Sequence, residues 1–159
     1  MARHLTHVIV HHSLSPDGVT RNADAIRRYH VEHNGWSDVG YHFLVELIGS
    51  CYESVTGRPI TQNGAHCKEL GMNRNSIGVC LIGNFDIAVP NPAQLAELVN
   101  LIKHLMSEYK IPARNVLGHR EVGKLAGYDW EKIGRTGVRQ YKTCPGTHFD
   151  MDELRRRLK

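Results

Sequence analysis

Short apolar runs bounded by turn-forming residues predict the strands of this chain. They are Leu5–His12, Tyr41–Ile48, Ser50–Val55, Ser76–Gly83 and, at a strand end, Asn115–Gly118. The first run is rich in valine and isoleucine and stops at the turn-forming sequence SLSPDG, so two histidines stand at its C-terminal end. The run Ser76–Gly83 is almost continuously apolar, which is typical of a strand covered on both faces. We therefore expect it to be central in its sheet.

A helical spacing of apolar residues marks three other segments. They are Asn22–Asn34, a segment that starts at Asn91 and ends at Lys110, and a short segment that follows Asp150. The second is the strongest prediction, because Asn91 can cap the helix, Pro92 suits its first position and Gln94 completes a capping-box pattern. The segment Glu121–Gln140 is rich in glycine and charge and predicts a surface loop with little regular structure.

The order of these elements predicts the fold class. Strands interleaved with helices and one hairpin indicate an α/β (α+β) fold with a central mixed β-sheet flanked by helices. A chain of 159 residues fits one domain and can bury a core without disulfides or an obligate partner. We therefore expect residues 1–159 to form a single domain, and we expect a monomer.

Composition and charge exclude some classes of protein without selecting a function. Apolar residues make up 41% and charged residues 23% of the chain, which is typical of a folded protein and not of a disordered one. No stretch approaches the ~18 apolar residues of a membrane helix. The first twelve residues show no signal peptide, so we expect neither a membrane anchor nor a leader. The net charge of +4 permits attraction to nucleic acid, anionic lipid or a polyanionic wall polymer, and we expect no specific nucleic-acid partner.

Histidine is the compositional outlier, with eleven residues, and it is the commonest metal ligand. His11 and His119 follow predicted strands, and Cys144 lies in the tight segment YKTCPG. Two imidazoles and a thiolate, with a fourth position left for water, form a catalytic zinc arrangement. The spacing alone is weak evidence, because no compact zinc motif is present and one histidine among eleven is more often an ordinary hydrogen-bonded residue. The four cysteines indicate thiols and not a disulfide framework.

Five ordered sequence blocks resemble one enzyme family. The blocks are VIVHHS (Val8–Ser13), GWSDVGYHFLVE (Gly35–Glu46), GAHC followed by GMNRNSIGVCLIGNF (within Gly64–Phe85), VLGHREV (Val116–Val122) and KTCPG (Lys142–Gly146). In this order they resemble the type 2 N-acetylmuramoyl-L-alanine amidases, which include bacteriophage endolysins and the peptidoglycan recognition proteins. The resemblance covers nearly the whole chain and is strongest to the small, single-domain phage endolysins. It implies the zinc amidase type 2 fold.

The resemblance also implies a ligand set and two catalytic residues. His11, His119 and Cys144 match the three zinc ligands of the family, which implies one Zn²⁺ per chain. Tyr41 matches a catalytic-site tyrosine, and Lys142 matches an essential lysine. Zinc lowers the pKa of a water molecule to about 7, Lys142 would stabilise the oxyanion, and Tyr41 would orient the water or transfer a proton. Without the resemblance, Tyr41 would be interpreted as a strand residue that packs on the sheet.

Several residues leave two interpretations open. His66 and Asn73 match groove residues that contact the sugar or the stem peptide, but loop residues of these types also stabilise turns. His12 occupies a position where relatives show other residues, so a supporting role behind the ligands and a purely structural role are both open. Trp36 and Trp130 suit stacking on sugar faces and simple packing equally well.

The implied function is zinc-dependent hydrolysis of the amide bond between N-acetylmuramic acid and L-alanine of the stem peptide, which lyses the bacterial cell wall. The alternative is a peptidoglycan-binding module without catalysis, because relatives exist that keep the fold and have lost the metal. The presence of Cys144 together with Tyr41 and Lys142 favours the enzyme. An endolysin without a signal peptide would stay in the host cytoplasm until a separate membrane-permeabilising protein releases it to the wall.

Overall fold

A five-stranded sheet organises the part of the chain that the computed structural model describes, residues 2–15, 21–128 and 142–159. Its strands are β1 (His7–His12), β2 (Phe43–Ile48), β3 (Cys51–Thr56), β4 (Ser76–Leu81) and β5 (Val116–Gly118). Their spatial order is β3-β2-β4-β1-β5. β1 pairs in parallel with β4 and β5, while β2 pairs in parallel with β4 and antiparallel with β3. The predicted mixed sheet is confirmed.

The apolar sequence of β4 explains its central position. All six residues Ser76–Leu81 are buried, because β4 lies between β1 and β2 and is covered on both faces. The β2–β3 hairpin turns at Gly49, whose φ of 63° lies in the left-handed region that glycine adopts without steric cost. β2 begins at Phe43, two residues after the predicted start at Tyr41.

Helices lie along the sheet in the described part of the chain. They are α1 (Ala23–Arg28), α2 (Met72–Asn75), α3 (Pro92–Tyr109), α4 (His119–Leu125) and α5 (Met151–Arg157), with short 3₁₀ turns at Glu69–Gly71 and Ala113–Asn115. The helical prediction for Asn22–Asn34 is confirmed, and α1 continues there into a π-helical turn, Tyr29–His33. Asn22 and Asn91 cap α1 and α3 as predicted, since the Oδ1 of each accepts a backbone N–H of its helix. Among these helices, none is long and apolar enough to cross a membrane.

The two faces of the sheet bury separate clusters, because side chains alternate along each strand. On one face α3 and α5 cover the larger core, which includes Val8, Val10, Val45, Ile77, Val79, Leu98, Ile102 and Leu154. On the other face α1, α2 and α4 cover a smaller set, which includes Ile9, Ile26, Leu44, Met72 and Val122. The expected central sheet with helices on both sides is confirmed.

Gln94 does not take part in the capping box that its spacing predicts. The side chain is fully buried. Its Nε2 donates to the carbonyl oxygens of Val45 and Ile82 at 3.3 and 2.9 Å. In a capping box the Gln94 Oε1 atom would accept the backbone N–H of Asn91. The capping-box prediction is wrong because the bonds from Nε2 to these buried carbonyls hold the side chain in the core, where Oε1 has no hydrogen-bond partner among the described residues.

The predicted loop Glu121–Gln140 begins as a helix. Glu121 lies in the first turn of α4, where its Oε2 accepts the backbone N–H of Gly118 at 2.7 Å. A carboxylate at this position stabilises the start of a helix, and α4 then extends to Leu125. The loop prediction is therefore wrong for this part, while residues 129–140 lie outside the described residues.

Candidate metal centre

Three buried side chains bring potential metal ligands together at one end of the sheet. One ligand atom each from His11, His119 and Cys144 lies within 4.8 Å of the other two. The Nδ1 atom of His11 is 3.6 Å from the Sγ atom of Cys144. The three residues are only 2%, 4% and 8% exposed, respectively. The structure thus places together the three residues that the sequence predicts as ligands.

Two parallel strands position the histidines. β1 and β5 are parallel neighbours, and Val10 lies opposite Gly118. His11 and His119 are the next residues of the two segments, so they lie at the same edge of the sheet, with ring centroids 4.8 Å apart. The carboxyl ends of parallel strands are where α/β sheets usually build their sites.

Arg120 joins the second histidine to the loop that carries Cys144. The backbone N–H of Arg120 donates to the carbonyl of Cys144 at 2.8 Å. Its guanidinium donates to the carbonyls of Gly146 and Phe149, the latter at 2.7 Å. Arg120 is only 7% exposed. Since it directly follows His119 in α4, these bonds fix the cysteine loop relative to that histidine.

Arg120→Lys should lower the free energy of unfolding by about 2 to 4 kcal/mol, because an ammonium group lacks the planar donors and leaves buried carbonyls unpaired at roughly 1 to 3 kcal/mol each. Urea denaturation measures this loss. Arg114→Lys is the matched control, since Arg114 is exposed and its change should cost less than about 0.5 kcal/mol. Equal stability of the two variants would show that Arg120 does not hold the loop.

Burial keeps both histidines of the group uncharged. Desolvation, followed by the positive charge of Lys142, lowers the pKa of His119 to about 4. Desolvation, followed by the neighbouring His119 and His66, lowers the pKa of His11 well below its ordinary value. Both imidazoles therefore keep a nitrogen lone pair for a metal at neutral pH. The Nε2 atom of His11 faces His66 Nδ1 at 2.9 Å, which leaves the Nδ1 atom of His11 on the side of Cys144.

The Cys144 thiol completes a donor set that suits zinc. Burial raises its pKa to about 12, although the His12 backbone N–H, which donates to Sγ at 3.4 Å, and the charge of Lys142 oppose this rise. A thiol of this kind gives up its proton when a divalent cation binds it. Two neutral imidazoles and one thiolate are ligands that zinc takes in catalytic centres. The residues present therefore fit a zinc ion.

Tyr41 and Lys142 line a cavity of about 460 Å³ beside this group. The ring of Tyr41 lies 5.1 Å from the ring of His11. Burial raises the pKa of the Tyr41 hydroxyl well above its ordinary value, so Tyr41 is a neutral hydrogen-bond donor. Lys142 is exposed to solvent. Its charge lowers the pKa values of His11, His119 and Cys144, so its field reaches the whole group.

His66 and Asn73 line a second cavity of about 700 Å³. The Oδ1 atom of Asn73 accepts the backbone N–H groups of His66 and Cys67 at 2.7 and 2.8 Å. This is the turn-stabilising contact that the sequence left open for Asn73. The residues shared by both cavities are Trp36, Ala65, His66, His119 and Lys142. The two cavities therefore adjoin and form one cleft beside the candidate ligands.

His12 contacts Cys144 through its main chain, by the N–H to Sγ bond. The Nδ1 atom of its ring accepts the backbone N–H of Phe85 at 3.1 Å. The sequence left a structural role and a supporting role open for His12. The ring contact to Phe85 is structural, and the main-chain contact to Cys144 supports a candidate ligand.

Glu69 belongs to the site, although the sequence did not indicate it. Its Oε2 atom lies 3.4 Å from His119 Nε2 and 3.5 Å from Cys67 Sγ. These three side chains form a second group of potential ligand atoms within 4.8 Å. Burial, followed by the charge of Glu69, raises the pKa of the Cys67 thiol. The only signal in the sequence is the segment KEL, which separates GAHC from GMN and matches neither block.

Comparison with known proteins gives consistent matches over most of the chain. Residues 1–147 match the family model described as N-acetylmuramoyl-L-alanine amidase. The endolysin of Escherichia phage T7 is 35% identical over 136 residues, which cover 79% of this chain and 85% of the endolysin. The solved structure of the N-acetylmuramoyl-L-alanine amidase LysC from Clostridium intestinale URNW has a TM-score of 0.75 at 26% identity and covers 98% of this chain and 86% of that chain. A mutant of Drosophila PGRP-LB in complex with tracheal cytotoxin has a TM-score of 0.71 at 27% identity and covers 97% and 82%.

Proposed function

Because the chain belongs to the N-acetylmuramoyl-L-alanine amidase family, we propose that it is a zinc-dependent peptidoglycan hydrolase. The bond that it cuts is the amide between N-acetylmuramic acid and the L-alanine of the stem peptide. The observation that carries this proposal is the buried group of His11, His119 and Cys144, whose ligand atoms lie within 4.8 Å of one another beside a cavity. These residues would hold one Zn²⁺ per chain.

The side chains around this group suit amide hydrolysis. An amide is a poor electrophile with a poor leaving group, so the reaction needs a strong nucleophile and a stabilised oxyanion. When bound, zinc would act as a Lewis acid and lower the pKa of a water molecule to about 7. Lys142 places a positive charge beside the scissile carbonyl and stabilises the oxyanion. Tyr41 keeps its phenolic proton and donates a hydrogen bond that orients the scissile group or the attacking water.

A muramyl peptide is the substrate that we propose for the cleft. The larger cavity, about 700 Å³, lies within the usual range of small-ligand sites. Trp36 is 37% exposed there and offers an aromatic face to a sugar. His66 lines both adjoining cavities, and we propose it as a contact residue for this ligand. The complex of a PGRP-LB mutant with tracheal cytotoxin supports this class of ligand.

The alternative function is peptidoglycan binding without catalysis. A binding module needs the cleft but needs neither a metal group nor a cation beside it. Cys144, Tyr41 and Lys142 line one cavity in this chain, and their combination supports the enzyme. We further propose that residues 1–159 act as one monomeric domain. As in the endolysin hypothesis, the enzyme would remain in the host cytoplasm until its release to the wall.

Digestion of purified peptidoglycan tests the reaction. We expect new L-alanine amino termini and no new reducing sugar ends, because the proposed reaction depends on the group of His11, His119 and Cys144 and not on the pair of facing carboxylates that glycosidases use. Labelling of free amino groups and a reducing-sugar assay on the same digest measure both products. Reducing ends that rise in proportion to lysis would contradict the amidase assignment, and binding of peptidoglycan without either product would favour the binding module.

A further inference from the structure

A largely buried carboxylate, that of Glu69, lies beside the candidate metal group and faces His119. The side chain of Glu69 is only 10% exposed, and that of His119 is 5% exposed. The Oε2 atom of Glu69 lies 3.4 Å from His119 Nε2, and the same oxygen accepts the Cys67 thiol at 3.5 Å. A carboxylate in such a place must be paired to offset its loss of solvation. His119 and Cys67 are paired with it here.

The backbone around Glu69 sets the carboxylate in this position. Leu70 has a φ of 53° and Gly71 a φ of 71°, so two successive residues take the left-handed conformation directly after Glu69. A leucine rarely adopts this conformation. The turn leaves Leu70 52% exposed, while the preceding side chain is directed at His119. The segment KEL thus forms a tight turn that presents Glu69 to a candidate ligand.

We propose that Glu69 is a positioning residue that orients His119 for metal binding. A neutral imidazole carries one N–H and one lone pair. Because Nε2 faces a carboxylate, the proton belongs on Nε2, and Nδ1 keeps the lone pair for zinc. Carboxylates that hold a metal-binding histidine in this way fix its tautomer and ring orientation. This inference rests on the proposed zinc group of His11, His119 and Cys144.

The competing interpretation makes Glu69 a direct ligand of a second metal ion, together with Cys67 and His119. Both groups would then need His119, which has one lone pair while it is neutral. The Cys67 thiol donates to Glu69 and needs no metal to be satisfied. We therefore favour the positioning role, and the number of zinc ions per chain separates the two interpretations.

Zinc affinity of the metal-free protein tests the inference. We expect Glu69→Ala to weaken zinc binding about 10- to 100-fold, as for other partners behind metal ligands. Glu69→Gln keeps an acceptor oxygen on a side chain of the same size, so its loss of zinc affinity should be smaller than that of Glu69→Ala. Cys67→Ser keeps a donor to Glu69, and Glu108→Gln removes one exposed charge from α3. Both should bind zinc within about twofold of the wild type, since each leaves the partner of His119 in place. Competition with a chromophoric chelator gives the affinity, and elemental analysis gives the stoichiometry.

Three outcomes would overturn the inference in distinguishable ways. If the wild type binds one zinc and Glu69→Ala binds it equally well, Glu69 does not position His119, and the proposed function stands. If the wild type binds a second zinc that Cys67→Ser and Glu69→Gln both lose, Glu69 is a ligand. If the wild type binds no zinc, the proposed function fails as well. The melting temperature of each metal-free variant separates two causes of weaker zinc binding: the positioning role leaves this temperature near that of the wild type, whereas a folding defect lowers it.

Discussion

Replacement of Cys144 with alanine is expected to remove the bound zinc and to lower amide hydrolysis by at least about 10³-fold, because water without the metal keeps a pKa near 15.7 instead of about 7. The sulfur lies 3.6 Å from His11 Nδ1, and Cys144 is only 8% exposed, so alanine removes a ligand atom from the interior of the group. His11→Ala and His119→Ala should have the same two effects, since each leaves only two protein ligands. Elemental analysis measures the zinc, and the release of L-alanine amino termini measures the reaction.

Cys51→Ala is the matched control for the cysteine variant. Cys51 is an exposed free thiol on β3, so its removal should leave zinc content and turnover unchanged. Chelation of wild-type zinc should abolish activity, and added zinc should restore it. If the variants of His11, His119 and Cys144 all kept one zinc and full turnover, the ligand set would be wrong, and His12 would be the first substitute to test.

The candidate ligands could be named from the sequence only because of the family blocks. His11 and His119 are far apart along the chain, and the pairing of β1 with β5 brings them together. Neither residue differs in its local sequence from an ordinary histidine at a strand end. The ligand atoms converge in the structure because parallel strands end at one edge of the sheet, which the sequence pattern did predict.

Glu69 could not be predicted, because its role depends on a backbone conformation that the sequence does not reveal. A leucine in the left-handed region is unexpected, and the segment KEL matches no family block. For Asn73 the sequence left two interpretations equally open, a contact with substrate in the groove and a contact that stabilises a turn. The structure contains the turn contact to the backbone of His66 and Cys67, and a substrate contact stays a prediction.

Most of the fold could be predicted where local and tertiary preferences agree. β4 is continuously apolar and lies at the centre of the sheet, and α3 begins directly after its Asn91 cap. Prediction failed where a distant group competes with a local one. Gln94 has the right spacing for a capping box, but buried carbonyls at Val45 and Ile82 take its amide instead.

Lys142→Ala is expected to lower turnover by about 10²- to 10³-fold while zinc content stays at one per chain, because it removes a charged stabiliser of the oxyanion and no metal ligand. Lys142 lines the cavity that holds Tyr41, and its charge acts on His11, His119 and Cys144. Tyr41→Phe keeps the ring that packs 5.1 Å from His11 and removes only the hydroxyl. Tyr41→Phe should therefore lower turnover substantially, by a factor that differs from that of Lys142→Ala.

The matched control for this prediction is Lys103→Ala, because Lys103 is an exposed lysine on α3. Its turnover should stay within about twofold of the wild type, as for other surface substitutions away from a site. Turnover is measured at saturating peptidoglycan after zinc content has been verified, so that a change in kcat is not confused with weaker binding of metal or substrate. Near-wild-type turnover in Lys142→Ala and Tyr41→Phe would mean that both positions are structural. A second group that lines the cleft, with His66 as the first candidate, would then assist the attacking water.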